Sequence, residues 1–225
     1  MGLTDLASDP HISHTRFLVI DFETLTPAGR PPEPVEVAAI MIECSAAGEL
    51  VETARFESLM RPPHDVPMTW RDQTTGLTPA MLAAAPPAGT VMARLDRLLP
   101  APEDPTARWP YRLVAHSAGT ERTLIFAQRE HCAVLAATPL IDSLRLARTA
   151  LAGLSRHGLS DIASHLGIPL PPDRHRAMGD VELTVAVLAE LLERGPWRSL
   201  HDLERDARVE PKRPTTPTAE QAGLF

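Results

Sequence analysis

The sequence predicts an α/β layer architecture, a mixed five-stranded sheet flanked by helices, on three observations. Three strand-like runs follow one another in the first quarter of the chain. Two more short apolar runs come later, separated by stretches whose apolar residues recur at helical intervals. Pro- and Gly-containing turns punctuate the joins. At 225 residues and 44% hydrophobic content, the chain is long enough to bury one core and suggests one domain. Aromatics make up only 4%, so Leu, Val, Ile and Ala must fill that core.

In chain order, residues 1–15 are polar and aperiodic and read as a flexible leader. RFLVIDFE (16–23) is rich in strand formers and reads as a buried strand. After the turn TPAGRPPEP, the runs VEVAAIMIEC (35–44) and ELVETARFESLM (49–60) complete an antiparallel meander. The segment RPPHDVPMTWRDQTTG reads as a loop. In it Trp70 suits covering the core as well as stacking on a base, and Arg71 and Gln73 lie beside it. LTPAMLAAAP and TVMARLDRLLP have helical spacing, the first opened by Thr78 with Pro79 in its first turn. YRLVAHS (111–117) is a fourth strand, GTERTLIFAQREH (119–131) a helix, and Leu140–Asp142 a fifth strand. Helices are expected over 143–152, 159–166 and 177–193. The domain is therefore expected to span 16–194, with 195–225 as an extension: a short closing helix, a polar Pro/Thr-rich linker and a terminal QAGLF peptide.

The formal net charge is −7, which counts against a protein that coats a long duplex, since phosphate neutralisation drives such binding. It is compatible with an enzyme whose carboxylates hold cations that in turn meet phosphate. Cys44 and Cys132 form no CxxC pair or zinc spacing and read as two reduced core thiols of a cytoplasmic protein. The N-terminus shows no signal-peptide pattern. No apolar run reaches the roughly 18 residues of a membrane span. GxSxG, GxxxxGK[ST] and GxGxxG are absent from the sequence, so a serine hydrolase, a P-loop and a dinucleotide site find no support.

The chemistry-bearing residues are carboxylates. Strand alternation puts Asp21 and Glu23 on one face and Phe22 on the other. Two carboxylates ending an apolar strand are costly to bury unless a cation compensates them, although solvent exposure at a strand end is the plainer reading of that pair alone. Asp180 opens the apolar-periodic stretch VELTVAVLAELL and suits the positive end of a helix. His175 lies five residues earlier. Five helical residues turn about 500°, leaving the two side chains roughly 140° apart, so His175 belongs in the preceding loop to reach the same site. There it suits a general base. Glu121 falls in the first turn of a helix after a strand, a position equally natural for an exposed glutamate.

DFET (21–24), VAHS…E (114–121) and HRAMGD (175–180), in that order and at these separations, resemble the three motifs of the DEDDh exonuclease family. That DnaQ-like family lies within the RNase H-like superfamily and includes proofreading subunits of bacterial replicative polymerases. EVAAIMIE, TGLTPAML and IDSLRLAR add to the likeness, which covers about 16–194. The resemblance implies an RNase H-like sheet and a 3′–5′ exonuclease that releases nucleoside 5′-monophosphates from DNA or RNA ends. It implies that Asp21, Glu23 and Asp180, with Glu121, hold two divalent cations, Mg²⁺ or Mn²⁺, roughly 3.5–4 Å apart. His175 would be the general base. Phe22, Thr24, His116 and Ser117 would be substrate-binding, Thr24 and the backbone after Glu23 at the pocket for the terminal nucleotide and His116 and Ser117 along the bound strand.

The chain departs from the family's pattern at two positions. It has Glu121 where Asp is usual, and Ser117 where Asn is usual. A weakened site that merely holds nucleic-acid ends, or a sliding clamp, is therefore the alternative reading. The terminal QAGLF resembles the short peptide with which bacterial replication proteins dock on their sliding clamp, with Gln221, Leu224 and Phe225 as the contacting residues.

Overall fold

The computed structural model describes residues 3–27, 31–45, 47–63, 75–100, 109–171 and 175–209. Strands β1 (Arg16–Leu25), β2 (Glu33–Cys44) and β3 (Leu50–Leu59) form the antiparallel meander that the sequence predicts. Strand β4 (Tyr111–Ala115) then joins β1 in parallel from the other side, and β5 (Leu140–Asp142) joins β4 in parallel. A sixth strand, β6 (Arg208–Val209), pairs antiparallel with β5, so the order is β3-β2-β1-β4-β5-β6 rather than five strands. A two-residue strand carries no periodicity, which is why the sequence does not signal it.

Helices cover both faces, and strand alternation sorts the side chains between them. On one face Phe17 and Val19 of β1 and Ala38, Ile40 and Ile42 of β2 pack with α7 (Ser143–Ala150), α8 (Leu159–Leu166) and the long α9 (Ala177–Arg194). On the other face Leu18, Ile20 and Phe22 meet α4 (Ala88–Asp96), α5 (Gly119–Ala127) and α6 (Ala133–Ala137). A small third cluster joins Leu25 and Val35 to Leu77 and to Leu82 of α3 (Pro79–Ala84). It forms where a β-bulge between Glu23 and Thr24 shifts the register of β1 on β2. Bulges of this kind re-aim side chains next to functional sites. Thr78 caps α3, its side chain accepting the Met81 N–H, with Pro79 following as expected.

The two chain ends correct the expected boundaries. The leader contains α1 (Leu3–Ala7) and α2 (Pro10–Ser13), and Leu6 and Ile12 are buried in the α9-side core. Asp9 caps α2 through the His11 N–H and also accepts the Leu200 N–H at 2.7 Å. Beyond residue 194, Trp197, Leu200 and Leu203 enter the same core, and α10 (Leu200–Ala207) leads into β6. Helices α1 and α2 bury Leu6 and Ile12, one residue each among those described, too few to show a period in sequence. The terminal peptide with Gln221, Leu224 and Phe225, and the loop residues Trp70, Arg71 and Gln73, lie outside the described residues. Among the described residues, no helix is long and apolar enough to cross a membrane. Cys44 and Cys132 are buried free thiols.

Arg112 of β4 fastens α10 to the sheet. Its guanidinium donates to Glu204 and to the carbonyls of Trp109 and Tyr111, with the Arg112 side chain 4% exposed and that of Glu204 13%. Removing one partner of such a buried pair leaves an uncompensated charge. Glu204→Ala should therefore lower unfolding stability by about 3–5 kcal/mol in urea titrations. A loss within a few tenths of a kcal/mol would show that α10 is not part of the cooperative unit.

Candidate active site

Asp21 and Glu23 continue the row begun by Phe17 and Val19, so strand alternation aims both at α9. The row runs past the end of the β1–β4 ladder, whose last pair is Val19 with Val114. The carboxylates thus stand at the carboxyl end of β1, where the sheet order reverses, the usual place for a ligand crevice in an open α/β sheet. Asp180 arrives from the first turn of α9. Asp21, Glu23 and Asp180 each offer a carboxylate oxygen, and these atoms lie within 4.8 Å of one another.

This arrangement is electrostatically unfavourable by itself. Burial, then the charges of Glu121, Asp180 and Glu23, hold Asp21 well above the usual carboxylate range, against a hydrogen bond from its own neighbour's backbone at Phe22. Burial, then Asp180 and Glu36, push Glu23 up to about 7, while Arg176 pulls it down. Glu121, 5% exposed, is likewise raised to about 7, by burial first and Asp142 next. Its Oε2 is buried with no hydrogen-bond partner among the described residues. Glu121 stands outside the group of three, yet its charge is the largest of those acting on Asp21. A helix-start glutamate facing solvent is therefore not what the structure shows. Three converging carboxylates with a fourth beside them form a hard, all-oxygen donor set that fits Mg²⁺ or Mn²⁺ better than zinc.

The other expected site residues fall in different places. The Phe22 side chain is buried in the core of the opposite face, because it alternates with Asp21 and Glu23; only its backbone serves the site. Thr24 sits half-buried at the bulge. His116 lies between segments: Nδ1 is 3.0 Å from Ser143 Oγ, and Nε2 is 3.1 Å from the His157 carbonyl. A carbonyl only accepts, so Nε2 carries the proton and Nδ1 takes the serine hydroxyl's. Both ring nitrogens are thereby engaged with the protein, and burial lowers the imidazole pKa against the pull of the His157 carbonyl, Asp142 and Asp180. The ring fixes the turn after β4 and offers no free nitrogen to a strand. Ser117 donates its N–H to Asp142 Oδ1 at 3.0 Å. His175 is exposed on the turn before α9, as its spacing from Asp180 requires, and is not among the gathered carboxylates.

Ser117 and His175 share one property. With φ of 59° and 77°, they are the left-handed non-glycine residues among those described. Such backbones cluster at functional sites, where the surrounding structure holds them.

Glu36, Arg176 and Asp142 lie within the quoted motifs, but the sequence alone assigns them no role. Glu36 is 0% exposed in β2, opposite Glu23 in register. Its carboxylate takes Arg176 Nε at 3.0 Å on both oxygens, Arg176 Nη2 on Oε1, and the Ala177 N–H at 3.2 Å. Asp142 caps α7 through the Leu144 N–H while holding Ser117. The signal available for Glu36 was a lone charge inside an apolar strand run.

Comparison with known proteins follows the same lines. A family model described as Exonuclease matches residues 18–188, which include all five candidate catalytic residues. A PolC-type DNA polymerase III from Oceanobacillus iheyensis is 31% identical over 83% of this chain, which spans only 12% of that relative's length. The DNA polymerase III subunit epsilon of Aquifex aeolicus is 27% identical, with 84% of this chain matching 90% of the relative. The nuclease domain of 3′hExo, described as a DEDDh family member bound to rAMP, superposes with a TM-score of 0.68. It is 16% identical and covers 91% of this chain and all of that one.

The raised carboxyl groups set a sign for pH dependence. Glu23 and Glu121 have folded pKa values near 7, above their unfolded values, so the folded state binds more protons between about pH 4.5 and 7. Stability of the metal-free protein must therefore fall as pH rises through that window. Cations compete with those protons, so Mn²⁺ should raise Tm more at pH 8 than at pH 5.5. Thermal scans with chelator and with Mn²⁺ at both values check this; an equal Mn²⁺ shift at the two would contradict it.

Proposed function

The chain belongs to the exonuclease family, in its DnaQ-like, DEDDh-type group, and from that premise we propose that it is a 3′–5′ exonuclease acting on DNA or RNA ends with two divalent cations. The supporting observation is the meeting of Asp21, Glu23 and Asp180 within 4.8 Å, with Asp21 and Glu23 raised by burial and by the neighbouring carboxylates, Asp180 among them. Divalent cations bound there supply charge to neutralise a phosphodiester and acidity to a water.

The chain's own residues take the remaining roles. Asp21, Glu23 and Asp180 hold the cations, and Glu121, with its buried Oε2, serves them from beside the group. His175, exposed on its turn, accepts the proton of the attacking water. Glu23 and Thr24, at the bulged end of β1, face the terminal nucleotide, and the turn at Ser117 borders the strand. Proofreading, repair or end processing are the settings that the polymerase-associated relatives suggest. Clamp docking through Gln221, Leu224 and Phe225 belongs to the same proposal.

Matched DNA and RNA oligonucleotides, blocked at one end or the other, test the reading with Mn²⁺ or Mg²⁺ present. Nucleoside 5′-monophosphates should appear, and blocking the 3′ end should abolish them. Asp21→Ala and Asp180→Ala should lower kcat by three or more orders of magnitude. Glu121→Gln should lower it on the order of a hundredfold, the scale of a cation misplaced by about 1 Å. His175→Ala should cost about 10²–10⁴-fold and remove the acidic limb of the pH–rate profile. Products released from 3′-blocked substrate, or activity undiminished in Asp21→Ala, would sink the assignment.

A further inference from the structure

We propose that Glu36 and Arg176 are positioning residues that set the separation between the β1 carboxylates and Asp180, and thereby the affinity of the site for divalent cations. The inference rests on the proposed cation-binding role of that site.

The geometry carries it. Helix α9 has no side-chain cap of its own: its N-cap residue is Arg176, which makes no capping hydrogen bond. The missing cap comes from another element. Glu36 Oε2, projecting from β2, accepts the Ala177 N–H, while both Glu36 oxygens accept the Arg176 guanidinium. One fully buried carboxylate thus fixes the first turn of α9 at two successive residues, and Asp180 stands three residues further along that turn. The same Glu36 lies directly opposite Glu23 across the β1–β2 ladder, on the α9-facing side. So a single side chain is bound at its root to the strand pair that carries Glu23 and at its tip to the helix that carries Asp180.

The chemistry fits a positioning role better than a plain structural bridge. A bidentate guanidinium–carboxylate pair has a fixed fork geometry, which a single-point contact lacks. A buried ion pair placed only for stability would gain little over apolar packing. This pair also decides where positive charge stands near the site. Arg176 lowers the pKa of Glu23 while Glu36 raises it, so the clamp brings one charge of each sign up to the cation ligands without joining them. Glu57, 3.8 Å from Arg176 Nη2, is the outer neighbour on β3. Supporting groups of this kind typically change metal affinity about 10–100-fold when altered.

The test uses the full chain and reads Mn²⁺ binding by isothermal titration calorimetry, alongside kcat and KM on an oligonucleotide. Glu36→Gln keeps the shape but gives up the charge-assisted fork. Arg176→Lys keeps the charge and gives up the second donor. Both should weaken Mn²⁺ binding, by about 10–100-fold for Glu36→Gln, with kcat reduced most at limiting Mn²⁺ and KM near the parent's. A structural role alone would lower Tm and leave the Mn²⁺ dissociation constant where it was. If Glu36→Gln does not fold, Arg176→Lys decides. Parent-like Mn²⁺ affinity in the folded variants overturns the inference alone, whereas a parent that binds no Mn²⁺ overturns the proposed function beneath it.

Discussion

Mutual repulsion among partly buried carboxylates is the constraint to which the rest of the structure answers. With ligand oxygens within 4.8 Å, two ionised groups repel by about 3–4 kcal/mol at an effective dielectric near 20. The chain has arginines to spare and uses one of them on Glu36, yet it leaves Asp21 and Glu23 raised. A fold that pairs one buried glutamate with an arginine and leaves its cross-strand neighbour in deficit of positive charge has an acidic group that could hold a cation.

The scaffold keeps this deficit from relaxing. The central strands β1 and β2 are buried on both faces, so a one-residue slip would carry the Asp21 and Glu23 row into the opposite apolar core. Helix α9 is packed against them through Val181, Val187, Leu188 and Leu191. The chain ends support it from behind. Leu6 and Ile12 from the N-terminal helices share its core with Trp197, Leu200 and Leu203 from beyond residue 194. What reads in sequence as leader and tail is therefore the backing of the helix that delivers Asp180, tied together by Asp9 and the Leu200 N–H.

The parts of this arrangement legible in the sequence are those with a period or a pattern. Alternation through RFLVIDFE placed Asp21 and Glu23 together, and the apolar run after Asp180 placed it on a helix start. The five-residue spacing put His175 on a turn. Short elements were illegible because α1, α2, α6 and β6 are too brief for any period to emerge. Phe22 was misplaced by family likeness although its own alternation pointed into the core. Glu36 was hidden for a different reason. A lone charge inside the apolar run of β2 marks it as unusual, but its meaning lies in a partner 140 residues away, which nothing local points to.

The two departures from the family's pattern also acquire a physical meaning. Residue 117 must adopt φ 59°, a conformation that Asn tolerates better than Ser. Serine there has backbone strain to offset, and Asp142 offsets it by accepting the Ser117 N–H while capping α7. At residue 121 the longer glutamate leaves its carboxylate outside the group of three but buried beside it, with one oxygen unsatisfied among the described residues. Its charge is the largest of those that raise Asp21, and burial raises Glu121 itself to about 7. A cation at the Asp21 group would relieve both carboxylates at once, with Glu121 one methylene longer than the usual aspartate.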